Sequence, residues 1–368
     1  MEVPFLSFED SNKQIRSQVL AAFEAFYDGQ QYIMGQKLQK FEEQFASFCN
    51  SNYCVGTGNG MDALYLALKA LGIKKGDEVI VPALTFAATG LAVIHTGATP
   101  IFVDVIPETG NISPSQVKNA ITSKTKAVIP VHLYGHPCQI SEIMEIASTQ
   151  GLFVVEDNAQ AQGATFNRKR TGSFGHLSAT SFYPTKNLGA LGDAGAITTN
   201  DQTLYEKCLR LRNYGSSDKY IHDTFGTNSR LDELQAAILN IKLEYLERWN
   251  EERRTIARWY LERLSSLVQI KLPVEQEGYQ HVYHLFTIQT EKRDELQTFL
   301  HQKGIGTLIH YPVPMHLQKV FADLSRNKKS FPVAERIAKT TLSLPIYIGL
   351  SETEVDYACQ QIHQFFTS

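Results

Sequence analysis

Between residues 53 and 200, short unbroken apolar runs alternate with amphipathic stretches of helical period. After "YCVGTGNG" and its helical continuation come "DEVIVPALTF", a helix through "AATGLAVIHTG", and "PIFVDV". "AVIPVHLYG", a helix through "ISEIMEIASTQG", and "LFVVED" extend the series. A strand with one wet face alternates polar and apolar residues, whereas a strand that is apolar throughout needs cover on both faces. Such strands separated by helices are the pattern of βαβ units, so the expected fold class is α/β with a mostly parallel sheet between helices. Two helical patterns, residues 11–28 and "KLQKFEEQFASFC", precede this region.

The rhythm changes after about residue 200. Residues 231–267 form one long helical pattern with apolar positions at Leu231, Leu234, Ile238, Ile241 and Leu246, too long for an ordinary crossover. It reads as a connecting helix. Beyond it "HLFTIQT", "RDELQTFLHQKG", "GTLIHY" and "SETEVDYACQQIHQFF" alternate strand and helix again, which predicts a smaller α+β domain of about one hundred residues. A chain of 368 residues is long enough for two such parts.

Composition narrows the function. The formal charge of -3 and a pI near 6.4 give no basic surplus, so a general nucleic-acid-coating role has no support, and any anion must be held locally. The five cysteines, Cys49, Cys54, Cys138, Cys208 and Cys359, are scattered and never paired as C-x-x-C, which argues against a disulfide framework and against a zinc site. They read as small core residues of a reducing compartment. The start "MEVPFLSFED" lacks a basic, apolar leader and no 18-residue apolar run occurs, so a cytoplasmic protein without a membrane span is expected.

Three stretches carry groups with chemistry. "GTGNGMDALYLALKALG" (56–72) puts Gly56, Gly58 and Gly60 before a helix, where free amides and the helix dipole favour an anion; a ligand-free glycine turn reads equally well. "LFVVEDNAQAQG" ends a strand on Glu156, Asp157, Asn158 and Gln160, placed either for chemistry beyond a carboxyl strand end or for capping a helix. "SFYPTKNLGALGDAG" (181–195) follows the next strand and carries Lys186, which could be a solvated charge, a phosphate clamp or a nucleophile. Together an anion-binding helix start, a carboxylate and a lysine are what pyridoxal phosphate needs for its phosphate, its pyridine nitrogen and its aldehyde.

The ordered set "GNGMDAL", "VPALTFAAT", "PIFVDV", "VHLYG", "VVEDNAQAQGA", "SFYPTKNLGALGDAGA", "RNYGS", "NSRLDELQAAIL" and "IHYPVPMH" resembles the DegT/StrS family of nucleotide-sugar aminotransferases, from about residue 3 to 365. The resemblance implies the aspartate aminotransferase fold type (pyridoxal-phosphate fold type I). Its large cofactor-binding domain would span 1–245 and its small C-terminal α+β domain 246–368, with the N-terminal helix packing on the small domain. It implies Lys186 as the lysine that bonds the cofactor and moves the substrate proton, Asp157 as the pyridinium partner, and Gln160 beside the ring hydroxyl. Phe86 matches the aromatic that stacks on the ring; Gly60, Met61 and Ser181 match phosphate ligands, the first two through amides. Many relatives read "SGT" where this chain has "NGM", so amides, Ser181 and Asn59 would carry more of the phosphate. Asn228 matches a residue that reaches the phosphate from the neighbouring subunit, which makes the expected active site one shared in a homodimer.

On the sugar side the resemblance implies Tyr183, Lys219, His310 and Tyr311 around sugar and pyrophosphate, with Arg230 adding positive charge. Relatives that aminate C-4 often read Ser-Phe-His before the lysine; Tyr183 replaces that histidine, so this chain resembles the branch that aminates C-3 of a thymidine-diphosphate 3-keto-6-deoxyhexose with L-glutamate as donor. The alternatives are C-4 amination of a 4-keto sugar and a non-catalytic sugar-nucleotide sensor. C-3 dehydration is disfavoured, because those relatives carry histidine where Lys186 stands. No metal is expected.

Overall fold

The computed structural model describes residues 1–321 and 330–367. The chain opens with α1 (Glu9–Gly29) and α2 (Gln36–Phe48), then runs β1 (Tyr53–Thr57), α3 (Gly60–Ala70), β2 (Glu78–Pro82), α4 (Ala87–His95), β3 (Thr99–Val103), α5 (Pro114–Ala120), β4 (Thr125–Val128), α6 (Ile140–Gln150) and β5 (Phe153–Asp157). A small hairpin, β6 (Thr165–Phe166) and β7 (Lys169–Arg170), leads to β8 (Leu177–Ser181), β9 (Gly195–Thr199), α7 (Gln202–Leu211) and a second hairpin, β10 (Ser216–Asp218) and β11 (Ile221–His222). Then come α8 (Glu233–Leu264), β12 (Tyr279–Gln280), β13 (Phe286–Gln289), α9 (Arg293–Gln302), α10 (Pro332–Thr340), β14 (Thr341–Leu344) and α11 (Glu352–Thr367).

Seven strands form the main sheet in the order β1-β9-β8-β5-β4-β2-β3. β3, β2, β4, β5 and β8 pair in parallel; β9 is antiparallel to both β8 and β1, so β1 points the same way as the rest. The apolar strands are covered on both faces, as their composition requires. Val79 and Val81 of β2 pack with Leu64 and Leu68 of α3 and Val93 of α4, while Ile80 between them packs with Val117 of α5 and Ile143 of α6. Six strands pointing one way deliver the ends of β1, β2, β5 and β8, and the loops after them, to one edge of the sheet. All five cysteines are buried and unbonded.

A second core collects Ile256, Tyr260 and Leu264 of α8, Phe286 and Ile288 of β13, Leu296 and Leu300 of α9, Leu342 and Leu344 of β14, and Val355 and Ile362 of α11. β13 and β14 are antiparallel, giving this part an α+β character. "GTLIHY" is not a strand: only Leu308 pairs, in an isolated bridge to Ser343, because the segment turns away toward the first core. The 32 residues of α8 extend roughly 48 Å, running without interruption past residues 245 and 246 from one core into the other. Arg253, midway along it, donates to the carbonyls of Tyr283 and Ile346, both at 3.2 Å. α1 lies against α8, with the Gln14 carboxamide oxygen accepting from Trp249 Nε1 at 3.1 Å and Ile15 packed on Trp249 and Ile348.

The N-cap of α2 is Gly35, which has no side chain to cap it. The cap comes from elsewhere: the buried Glu233 carboxylate of α8 accepts from the amides of Gly35 at 2.9 Å, Lys37, and Leu38 at 3.1 Å. A charge buried against a helix N-terminus is stabilised by both the amides and the helix dipole. Glu233→Gln removes the charge and turns an NH2 toward these donors, so stability should fall by about 1–3 kcal/mol, read as a lower urea midpoint. A change of a few tenths would show that the amides are satisfied in another way.

Candidate active site

Period-2 alternation at the end of β5 separates two adjacent acids. Glu156 is fully buried and held by structure: it pairs with His132 Nε2 at 2.9 Å and accepts from the amides of Gly172 (2.9 Å), Phe174 (2.8 Å) and Gly175 (2.9 Å). Burial would raise its pKa, but the His132 hydrogen bond and these amides outweigh burial and hold the carboxyl below the usual range. Asp157 faces the other way. Its Oδ2 accepts from Thr89 Oγ1 at 2.9 Å and its Oδ1 from the Ala159 amide at 3.2 Å. Burial raises its pKa, opposed by Thr89, by Ala159 and by the charge of Lys186. Neither Asp157 nor Asn158 caps a helix, since no helix starts there.

Lys186 sits on the loop after β8. Burial lowers its pKa to about 8, against the opposing pull of Asp157. The loop is tight: the Lys186 amide donates to Tyr183 O at 2.8 Å, and a Cβ on Gly189 would lie 2.3 Å from Pro184 O. Three side chains of α8 hold it. Lys242 Nζ donates to Gly189 O at 2.7 Å, Gln235 Oε1 accepts from Leu191 N at 2.8 Å, and Asn250 Oδ1 accepts from Asn187 Nδ2 at 2.8 Å. Asn187 Nδ2 also donates to Val282 O at 3.0 Å, and Asn187 Oδ1 lies 3.3 Å from His284 Nδ1.

Gln160 Oε1 accepts from the Tyr134 amide at 2.7 Å and its Nε2 donates to Tyr311 Oη at 2.9 Å; the Tyr134 hydroxyl donates to His310 O. His310 stacks on Phe5 and lies 2.8 Å from Ser343 Oγ through Nδ1. Burial, and then the charge of Lys186, lower its pKa to about 4, so the ring is neutral. Phe86, at the N-cap of α4, keeps 59% of its surface open and its ring centre is 5.8 Å from that of Tyr311. Tyr183 is half exposed.

At the start of α3, Asn59 caps the helix: its Oδ1 accepts from Asp62 N at 2.8 Å and its Nδ2 donates to Asp62 Oδ2 at 3.0 Å. The amides of Gly60 and Met61 precede the first intrahelical hydrogen bond and remain available. A Cβ on Gly60 would lie 2.5 Å from Ser181 Cβ, so this helix start lies directly against the end of β8. The Met61 side chain packs on the core, which leaves it only an amide to offer.

The remaining predicted residues stand apart. Lys219 is exposed at the turn of the β10–β11 hairpin, with its Nζ 5.3 Å from the Tyr220 ring centre. Asn228 is exposed and bridges Asn213 through its backbone; Arg230 Nη1 donates to Asn213 Oδ1 at 3.1 Å. Residues that sequence reasoning passed over are Thr89, Tyr134, Asn187, Lys242 and His284. Three of them stood inside quoted motifs: Thr89 in "VPALTFAAT", Tyr134 in "VHLYG" and Asn187 in "SFYPTKNLGALGDAGA".

A family model described as the DegT/DnrJ/EryC1/StrS aminotransferase family matches residues 13–363. The chain belongs to this family. It is 48% identical over 344 residues to "dTDP-3-amino-3,4,6-trideoxy-alpha-D-glucose transaminase" of Streptomyces venezuelae, covering 94% of this chain and 91% of that protein. It is 45% identical over 368 residues to "Pleiotropic regulatory protein" of Geobacillus stearothermophilus, covering 100% of this chain and 99% of the relative. Among solved structures, S. venezuelae DesV in complex with a ketimine intermediate superposes with a TM-score of 0.96 at 45% identity, over 99% of this chain and 98% of that one.

Pyridoxal phosphate, the cofactor of the family, fits the groups present. There are two available amides at the helix start beside Ser181, a buried amine near neutral pKa, a buried carboxylate that feels its charge, and an open aromatic face. In the apoprotein, acetylation of Lys186 followed by mass spectrometry should titrate near pH 8, well below the ordinary lysine value of 10.5. Because Asp157 raises this pKa, Asp157→Asn should move the midpoint lower still. A midpoint near 10.5 would contradict the burial.

Proposed function

We propose that this chain is a pyridoxal-phosphate-dependent aminotransferase that moves the amino group of L-glutamate to C-3 of a thymidine-diphosphate 3-keto-6-deoxyhexose, giving a 3-amino sugar and 2-oxoglutarate. The observation that carries the reading is Lys186, a desolvated amine with a pKa near 8 that feels the charge of buried Asp157, at the carboxyl edge of a parallel sheet. When bound, the cofactor supplies an electron sink for the bond to the reacting carbon. Lys186 Nζ, which gives up its proton near pH 8 and not near 10.5, takes the proton from the donor carbon and returns one to the acceptor carbon. Asp157 holds positive charge on the pyridine nitrogen, and Gln160, fixed by the Tyr134 amide, meets the ring hydroxyl. Phe86 covers the ring, while Gly60, Met61, Ser181 and the Asn59 segment hold the phosphate.

Tyr183, His310 and Tyr311 would form the sugar wall, and Lys219 and Arg230 the diphosphate end. The neutral state of His310 suits a hydrogen bond to a sugar hydroxyl more than a phosphate contact. We read residues 1–245 as the cofactor-binding part and 246–368 as the smaller part, consistent with a second core built largely from residues after 255. The exposure of Asn228, Lys219, Tyr220 at the hairpin turn and Phe225 just after the hairpin supports a homodimer in which this segment completes the partner's site. Among the described residues no helix is long and apolar enough to cross a membrane.

The choice of C-3 rests on Tyr183 and is supported by the name of the Streptomyces relative. The regulatory name of the Geobacillus relative raises the sensor alternative. Incubation with glutamate and a panel of 3-keto and 4-keto thymidine- and uridine-diphosphate sugars, read by mass and NMR, separates these readings. Amination at C-3 of the thymidine 3-keto sugar with matching 2-oxoglutarate is expected. Amination only at C-4 would reverse the regiochemistry, and no glutamate turnover would favour the sensor. For the shared site, mixing Lys186→Ala and Asn228→Ala chains should restore about a quarter of wild-type activity by random pairing, whereas a site complete within one chain would restore none.

A further inference from the structure

Asp157 is 6% exposed and Thr89 1%. Thr89 carries one hydroxyl hydrogen and stands between two partners, Asp157 Oδ2 at 2.9 Å and Thr85 Oγ1 at 3.1 Å. An ionised carboxylate can only accept, so the Thr89 hydrogen points at Asp157, and Thr85 must donate to Thr89. The two hydroxyls form a one-way relay along the first turn of α4. That turn also presents Phe86, at its N-cap, so one local structure both covers the cofactor ring and orients the acid beneath it.

We propose that Thr89 is a positioning residue for Asp157: its hydroxyl, oriented by Thr85, holds Oδ2 and keeps the carboxylate ionised and turned so that its remaining lone pairs face the ring nitrogen of the cofactor. The inference rests on the reading of Asp157 given above. Burial alone would favour a neutral acid, which could not sustain the positive charge on the pyridine nitrogen. The other groups that act on the acid are the Ala159 amide, Lys186 from the loop after β8 and His132 from the segment after β4. Tyr311 feels the acid in return, its hydroxyl pushed up mainly by burial with Asp157 adding to the effect. Among the described residues only Thr89 and the Ala159 amide bind the carboxylate directly, and the amide reaches Oδ1. Thr89 is thus the group fixing the second oxygen.

The test compares Thr89→Val, which keeps the shape and deletes the hydroxyl, with Thr89→Ser, which restores it, and with Asp157→Asn. Pyridoxal phosphate is titrated into each apoprotein by absorbance, and kcat/KM is followed against pH in the loaded enzymes. Thr89→Val should weaken cofactor binding on the order of ten-fold, with Thr89→Ser within about two-fold of wild type. Loss of a donor to the ionised acid raises its pKa, so the lower acid limb of the Thr89→Val profile, beneath the Lys186 limb near pH 8, should move to higher pH by about one unit. A purely structural hydroxyl would lower the melting temperature and leave that limb in place. Wild-type binding and an unmoved limb in Thr89→Val, or an equal loss in Thr89→Ser, overturn the inference. If Asp157→Asn loses affinity while Thr89→Val does not, only the Thr89 assignment fails; if Asp157→Asn binds as wild type, the reading of Asp157 fails and this inference with it.

Discussion

The site depends on a loop that α8 holds still. Tyr183 to Leu191 carries Lys186 in a turn too tight for a side chain at position 189, with Leu188 and Ala190 buried in the core beside Leu239 and Leu246 of α8. Polar groups of the same helix also hold it: Lys242 on Gly189 O, Gln235 on Leu191 N and Asn250 on Asn187. The same helix caps α2 through Glu233 and ties the second core through Arg253. Buried polar groups are costly unless each finds a partner, so α8 sits in the one register that satisfies them together. That constraint sets where Lys186 stands relative to Asp157.

Desolvation is the second theme. It lowers the amines of Lys186 and Lys242 to about 8, and it depresses the imidazoles of His284 and His310. It acts in the opposite sense on Asp157 and Tyr311. The groups around Lys186 are thereby pushed toward neutrality, which suits the role proposed for its amine. The same pressure on Asp157 is opposed by its hydrogen bonds from Thr89 and Ala159. Adjacent Glu156, on the other face of β5, shows what a fully supported carboxylate looks like: three amides and a histidine hold it below the usual range.

Much of this was legible in the sequence. Unbroken apolar strands required a covered sheet, and the ordered motifs brought Lys186, Asp157, Gln160, Ser181 and Gly60 to one edge. What was not legible has physical reasons. Lys242 lies in a 3.6-residue pattern where a lysine reads as a solvated face, and its burial depends on a loop fifty residues away in sequence meeting that face. Thr89 reads as an ordinary polar residue in an apolar helix, because its partner on β5 is set by tertiary packing. Asn59 was expected on the phosphate, yet its side chain caps α3, a competition that only the helix geometry decides. "GTLIHY" has strand composition but pairs at a single residue, since composition does not say where a chain must turn.

The central claim is that Lys186 is the amine that bonds pyridoxal phosphate. Borohydride reduction of the freshly loaded protein, followed by digestion and mass spectrometry, addresses it directly, with Lys242 as an internal control of similarly lowered pKa. The account predicts the reduced cofactor's mass on the peptide carrying Lys186 alone. Retention of that mass on Lys242, or on no peptide at all, would contradict it.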